Sequence, residues 1–86
     1  MDKKPIKNTI TAKQHKTVLE ALRNNPNGLN TFEIRDDFSI SDPPARIGEL
    51  KRKGVNILTK YKRAIDRNGQ EHNGVAHNWL ISEEAV

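Results

Sequence analysis

The sequence predicts an α+β domain: three short helices followed by a C-terminal β-hairpin, with room for a short third strand. Three observations predict it. Apolar residues recur at helical spacing from His15 to Leu22 and again at Ile47 and Leu50. Breakers separate the segments, with Asn25-Pro26-Asn27-Gly28 after the first and Gly54 after the last. From Val55 to Tyr61 the pattern changes to alternation, and Asn68-Gly69, a strong hairpin signal, precedes a second strand-like run.

Met1 to Ile10 shows no periodicity and contains Pro5, so residues 1–10 are expected to form a flexible basic arm. Thr11 is the expected N-cap of the first helix, its hydroxyl accepting a free backbone N–H of the first turn. His15, Val18, Leu19 and Leu22 form the buried stripe of that helix, and it should end near Asn24. His15 reads as a half-buried structural residue. Gly28-Leu29-Asn30 could add a short strand to a sheet edge. Asn30 and Glu33 have capping-box spacing for a second helix over Thr31 to Asp37, anchored by Phe32 and Ile34. Asp36 and Asp37 fall where the helix dipole disfavours them, and sequence alone leaves them as either salt-bridge partners or solvated charges.

Phe38 to Ile40 makes the turn. Ser41 or Asp42 caps the third helix, residues 43–53, with Pro43 at its first position and Gly54 as its stop. Ile47 and Leu50 face the core. At about 100° per residue the opposite face carries Ala45, Glu49 and Arg52, flanked by Arg46, Gly48 and Lys53, while Lys51 lies near the buried edge. In the following strand Val55, Ile57, Thr59 and Tyr61 share one face, and Asn56, Leu58, Lys60 and Lys62 the other. The returning strand, about Gly74 to Ile81, should pack Trp79 and Ile81 on the core, with Gly74 as a bulge. Residues 82–86 read as a short, frayed acidic tail.

With 86 residues and about a third of them apolar, one domain of roughly residues 11–81 with a modest core is expected. So small a core makes a homodimer energetically reasonable. The absence of cysteine excludes disulfides, thiolate zinc sites and iron–sulfur clusters. No apolar run is long enough to span a membrane, and the polar start lacks a signal-peptide core, so a cytoplasmic location is expected by default.

Charge is segregated. Met1 to Lys16 carries a net +4, Glu20 to Asp42 a net −3, Arg46 to Arg67 a net +6, and Asn68 to the end a net −3. Such a chain presents one positive face, which attracts phosphate polyanions. The third helix suits a major groove. Arg46 and Arg52 can fork onto guanine edges or grip phosphates, small Ala45 and Gly48 allow close approach, and Glu49 can accept from a cytosine amine or pair with Lys53 at i,i+4. Gly48 lowers helix propensity by roughly 1 kcal/mol relative to alanine, which favours a groove-facing role over a purely structural one. Lys60, Lys62, Arg63 and Arg67 make the hairpin basic, suited to backbone or minor-groove contact. The expected DNA-binding set is therefore Ala45, Arg46, Glu49, Arg52, Lys53, Lys60, Lys62, Arg63 and Arg67.

The layout resembles winged helix-turn-helix domains. More narrowly, Gly28, Leu29, Thr31 and Glu33, followed by Ile40, Pro43, Ala45, Arg46, Ile47, Glu49, Leu50, Gly54 and Ile57, resemble the small helix-turn-helix proteins common in bacteriophages and prophages. The likeness covers about Thr11 to Ile81, and Pro44 departs from it. It implies double-stranded DNA as partner and, by association, transcription regulation in a phage or mobile element, on DNA in the nucleoid. The Ala45–Leu50 segment has a second reading, in which Arg46 and Glu49 pack the helix and Arg52 and Lys53 are left to contact DNA.

The alternative function is a winged-helix interaction module that binds or inhibits a host protein, which exposure of Leu58 and Tyr61 would favour. An enzyme is not expected. His72 and His77 with Glu71 lack a further metal ligand, and no phosphate loop, nucleophile elbow or carboxylate pair appears, so no cofactor, metal or small-molecule substrate is anticipated. With only Phe32, Phe38, Tyr61 and Trp79 as aromatics, a single-stranded RNA platform is weakly supported.

Overall fold

The computed structural model describes the backbone over residues 4–83 and the side chains over residues 10–83. The order is α1 (Lys4–Asn24), β1 (Leu29–Asn30), α2 (Thr31–Phe38), α3 (Pro43–Arg52), β2 (Asn56–Ile65) and β3 (Glu71–Ser82). The strands form one antiparallel sheet in the order β1-β3-β2, which leaves β2 at an edge.

Local signals act as their chemistry requires. Asn30 Oδ1 accepts from Glu33 N at 2.9 Å while Glu33 Oε1 accepts from Asn30 N at 2.8 Å, completing the capping box of α2. Asp42 caps α3 by accepting from Ala45 N at 3.4 Å, and Pro43 occupies the first turn. At the other end, Gly54 N bonds Lys51 O and Val55 N bonds Leu50 O, a Schellman stop that seats Val55 beside Leu50 in the core. Phe38 closes α2 rather than opening the turn, and Ser39 carries the left-handed conformation at φ 58°.

The core joins Val18, Ala21 and Leu22 of α1 with Leu29, Ile34, Ile40, Ile47, Leu50, Val55 and Ile57, edged by Leu19, Phe38 and Leu80. Three layers therefore meet: α1 packs against both α2 and α3, and the sheet closes the remaining side.

Four expectations are corrected. First, α1 begins at Lys4, and Thr11 lies inside it rather than capping it. Pro5 falls in the first turn, where its missing N–H has no partner to lose. The first three residues of the expected arm lie outside the described residues. Second, Phe32 is only partly buried; its ring lies 5.0 Å from that of His72, and the Arg35 guanidinium stands 5.1 Å above it.

Third, the core face of β3 is supplied by Asn78 and Leu80, not by Trp79 and Ile81. Ile57 pairs with Leu80 and Thr59 with Asn78, so Leu58 and Trp79 share the other face, while Ile81 is exposed at a register shift opposite Asn56 and Ile57. Trp79 instead packs over the turn before β1. A Cβ on Gly28 would lie 2.7 Å from Trp79 Nε1 and 2.9 Å from Asn78 O, and Gly28 also has φ +89°, so only glycine fits. Fourth, the expected tail begins with ordered residues: Ser82 ends β3, and Glu83 receives two hydrogen bonds from Arg23, at 2.7 and 2.9 Å. The last three residues lie outside the described residues.

Gly74 is a bulge, as its sequence context predicts. The pairing steps from Lys62↔Val75 to Ala64↔His72, inserting one residue in β3, and Gly74 has φ +67°.

Candidate nucleic-acid interface

Helix α3 has three distinct sides. Pro43, Ile47 and Leu50 are buried in the core. Ala45, Gly48 and Arg52 lie on the side turned away from it. Arg52 is exposed and makes no hydrogen bond or ion pair with any described residue; its guanidinium lies over Gly48, 3.6 Å from where a Cβ would stand. The small residue thus leaves both a flat surface and room for a mobile cation.

The side toward α1 is occupied by a polar cluster. Arg46 donates to Glu49 at 2.8 and 3.1 Å and to Gln14 Oε1 at 2.9 Å, and its side chain is only 18 % exposed. His15 Nε2 lies 2.7 Å from Glu49 Oε1, and Lys53 Nζ lies 3.1 Å from His15 Nδ1. In the tautomer with its proton on Nε2, the imidazole donates to the carboxylate and accepts at Nδ1 from the ammonium. The His15 bond, then the Arg46 bond, holds the Glu49 carboxyl below the usual carboxylate range. The expected Glu49–Lys53 pair is therefore replaced by two contacts through His15, and Arg46 and Glu49 occupy the scaffold positions of the second reading.

The third side faces the hairpin. A cleft of about 190 Å³ opens between α3 and β2, lined in part by Pro44, Gly48, Lys51, Thr59, Tyr61 and Ala76. A more apolar hollow of about 260 Å³ continues past Pro44 and Tyr61 to Phe32 and Val75. Pro44 thereby gains a place: it forms the wall common to both. Tyr61 is 72 % exposed beside it.

The hairpin cations diverge. Lys60 and Lys62 lie on the sheet face opposite to Thr59 and Tyr61, and the Lys62 ammonium stands 5.5 Å above the Trp79 ring. Arg63 pairs with Glu71 at 3.2 Å but stays two-thirds exposed. Arg67, in the tip, stands 4.0 Å from both Asp36 and Asp37 of α2. Asp36 pairs first with Arg35 of its own helix, at 3.1 Å, and both acids make a longer contact with the tip. Asp66 holds the tip's shape, accepting from Asn68 N at 2.8 Å, Gln70 N at 3.0 Å and His72 at 2.8 Å. The His72 bond, followed by the Gln70 bond, keeps the Asp66 carboxyl below its ordinary range.

Of the expected set, the fold brings Ala45 and Arg52 to one outward surface. It turns Arg46, Glu49 and Lys53 toward α1, Lys60 and Lys62 to the far sheet face, and Arg67 onto α2. It adds Pro44, Lys51, Thr59 and Tyr61 to the cleft beside Arg52. Alternation already placed Thr59 and Tyr61 on the inner sheet face; what it lacked was that the core ends before Tyr61.

Residues 13–83 match the family model described as a winged helix-turn-helix domain. The chain belongs to that family. No curated protein and no solved structure matches it closely enough to add to this. In the winged helix, α2 and α3 with the turn between them are the helix-turn-helix, and β2 with β3 is the wing. Winged helix-turn-helix domains are DNA-binding modules and typically carry no catalysis, and membership makes DNA the partner suited to this chain. Among the described residues no cluster of His, Cys, Asp and Glu could hold a metal ion, and no helix is long and apolar enough to cross a membrane.

Proposed function

We propose that this winged helix is a sequence-specific double-stranded DNA-binding protein that regulates transcription for a phage or mobile element, acting in the cytoplasm on nucleoid DNA. Helix α3 enters the major groove with Ala45, Gly48 and Arg52 toward the bases. The wing lies along the backbone, with Arg63 as its exposed cation. The observation that carries this reading is Arg52: a cation on the outward side of α3, without a partner among the described residues, flanked by two small residues. The net +6 of Arg46 to Arg67 supplies the attraction to phosphate. A module this small binds one half-site weakly, so a homodimer or cooperative array supplies useful affinity.

Selection from a random duplex library followed by sequencing tests it. An enriched motif supports sequence reading, and a palindromic motif supports the dimer. Salt-sensitive retention without enrichment overturns the regulatory reading.

A second reading, a module that holds or inhibits a host protein, is favoured by the exposure of Leu58 at 42 % and Tyr61 at 72 %. Ionic strength separates the two. Counterion release makes DNA affinity fall steeply with salt, whereas a partner held by apolar contacts tolerates it.

A further inference from the structure

Lys51 reaches across the cleft between α3 and the wing. Its Nζ donates to Thr59 Oγ1 at 2.9 Å. Thr59 Oγ1 donates to Asn78 Oδ1 at 2.7 Å, and Asn78 Nδ2 donates to Leu29 O at 3.4 Å. This chain runs in one direction. Leu29 O can only accept, so the amide nitrogen of Asn78 faces it and the amide oxygen faces Thr59. Thr59 gives its single proton to Asn78 and offers a lone pair outward, a position that suits an ammonium and repels another acceptor. Asn78 is only 2 % exposed. A buried amide is unfavourable unless its bonds are made, and here its bonds lead to the surface cation.

We propose that this cleft is the seat of a DNA backbone phosphate, with Lys51 as the contacting cation and Thr59 and Asn78 as positioning residues. The proposal rests on the DNA-binding reading above. An ammonium has three donors, and Thr59 takes one, leaving two for a ligand. Among the described residues no acidic side chain lines the cleft, whereas Arg46, Arg63 and Arg67 each already face a carboxylate. Lys51 also stands next to Arg52 in the chain, so a duplex that seats its bases against Arg52 brings its backbone to the α3–wing junction. A phosphate here fixes the register of α3 on the duplex without itself reading sequence.

Fluorescence anisotropy of the full chain on a mixed-sequence duplex pool, over a salt series, tests this. Lys51→Met should lower the salt slope by about 0.9, the value for one phosphate contact. Thr59→Val keeps every charge, yet should weaken binding several-fold, and Thr59→Ser should restore it. In the Thr59→Val background Lys51→Met should lose most of its effect, because the two changes remove the same interaction. An unchanged slope for Lys51→Met, or simple additivity of the two substitutions, overturns the proposal. If circular dichroism shows that valine melts the hairpin, Thr59→Ala replaces it with the same two outcomes. A parent chain that binds no duplex even at low salt defeats the DNA-binding reading itself, before any variant is compared.

Discussion

His15 Nε2 and Glu49 Oε1, 34 residues apart in sequence, lie 2.7 Å from each other and tie α1 to α3. With Arg46 and Lys53 they fill the side of α3 that faces α1. The folded chain favours the ionised Glu49 carboxyl more than an unfolded chain does, since its folded pKa is lowered. Its contribution to stability is present above the ordinary carboxylate range and is lost as pH falls through the lowered folded value. Thermal melts from neutral pH down through that range should show Glu49→Gln with a shallower acid decline than the parent. A steeper or equal decline would remove Glu49 from the acid response. The pair is partly solvated, so the difference is small.

Arg52→Ala should weaken binding to a selected site by roughly 1–3 kcal/mol. Its melting temperature should match the parent, because the side chain has no partner to lose among the described residues. Anisotropy on the selected duplex reads the first and a thermal melt the second. Unchanged affinity removes Arg52 from the recognition surface.

Charge reversal at Arg63 and Arg67 should weaken all duplexes alike and flatten the salt slope. Arg67→Glu has a second effect, because it replaces the cation facing Asp36 and Asp37 with a third negative charge. Hydrogen exchange at the amides of Asn68 and Gln70 should then accelerate as the tip lifts from α2. A loss confined to one DNA sequence would instead make the wing a base reader.

Gly28→Ala should destabilise the fold by roughly 1–3 kcal/mol, through a positive φ and a methyl pressed on Trp79 and the Asn78 carbonyl. Denaturant unfolding followed by Trp79 fluorescence measures it. A variant as stable as the parent would mean that Trp79 does not hold this turn.

The parts of the fold that were legible in sequence are those decided within one turn of chain. The Asn30–Glu33 box, Pro43 after its Asp42 cap and the Gly54 stop each depend on neighbours a few residues away. Alternation found β2 and the Asn68-Gly69 turn implied β3, but not which side of β3 is inner. That depends on the register with β2, which pairs Ile57 with Leu80 and so turns Trp79 outward. The start of α1 was missed because Pro5 reads as a breaker everywhere except in a first turn.

The candidate site follows the same division. Arg52 could be read from helix geometry alone. Arg46 and Glu49 could not, because their partners Gln14 and His15 come from another helix. Lys51 was set aside as a buried-edge residue since its partner, Thr59, lies across the cleft on a different element. Asp36 pairs with its chain neighbour Arg35 at 3.1 Å, whereas the longer contacts of Asp36 and Asp37 with Arg67 in the wing depend on the fold.

The position of β2 at the sheet margin leaves a row of backbone donors and acceptors open along its outer side. Two copies meeting there could zip together strand to strand, the first step toward aggregation. Lys60, Lys62 and Arg63 punctuate that margin with like charge, and like charge opposes such self-stacking. An effort to raise DNA selectivity by neutralising them would trade weak phosphate contact for a protein that clumps as it is concentrated.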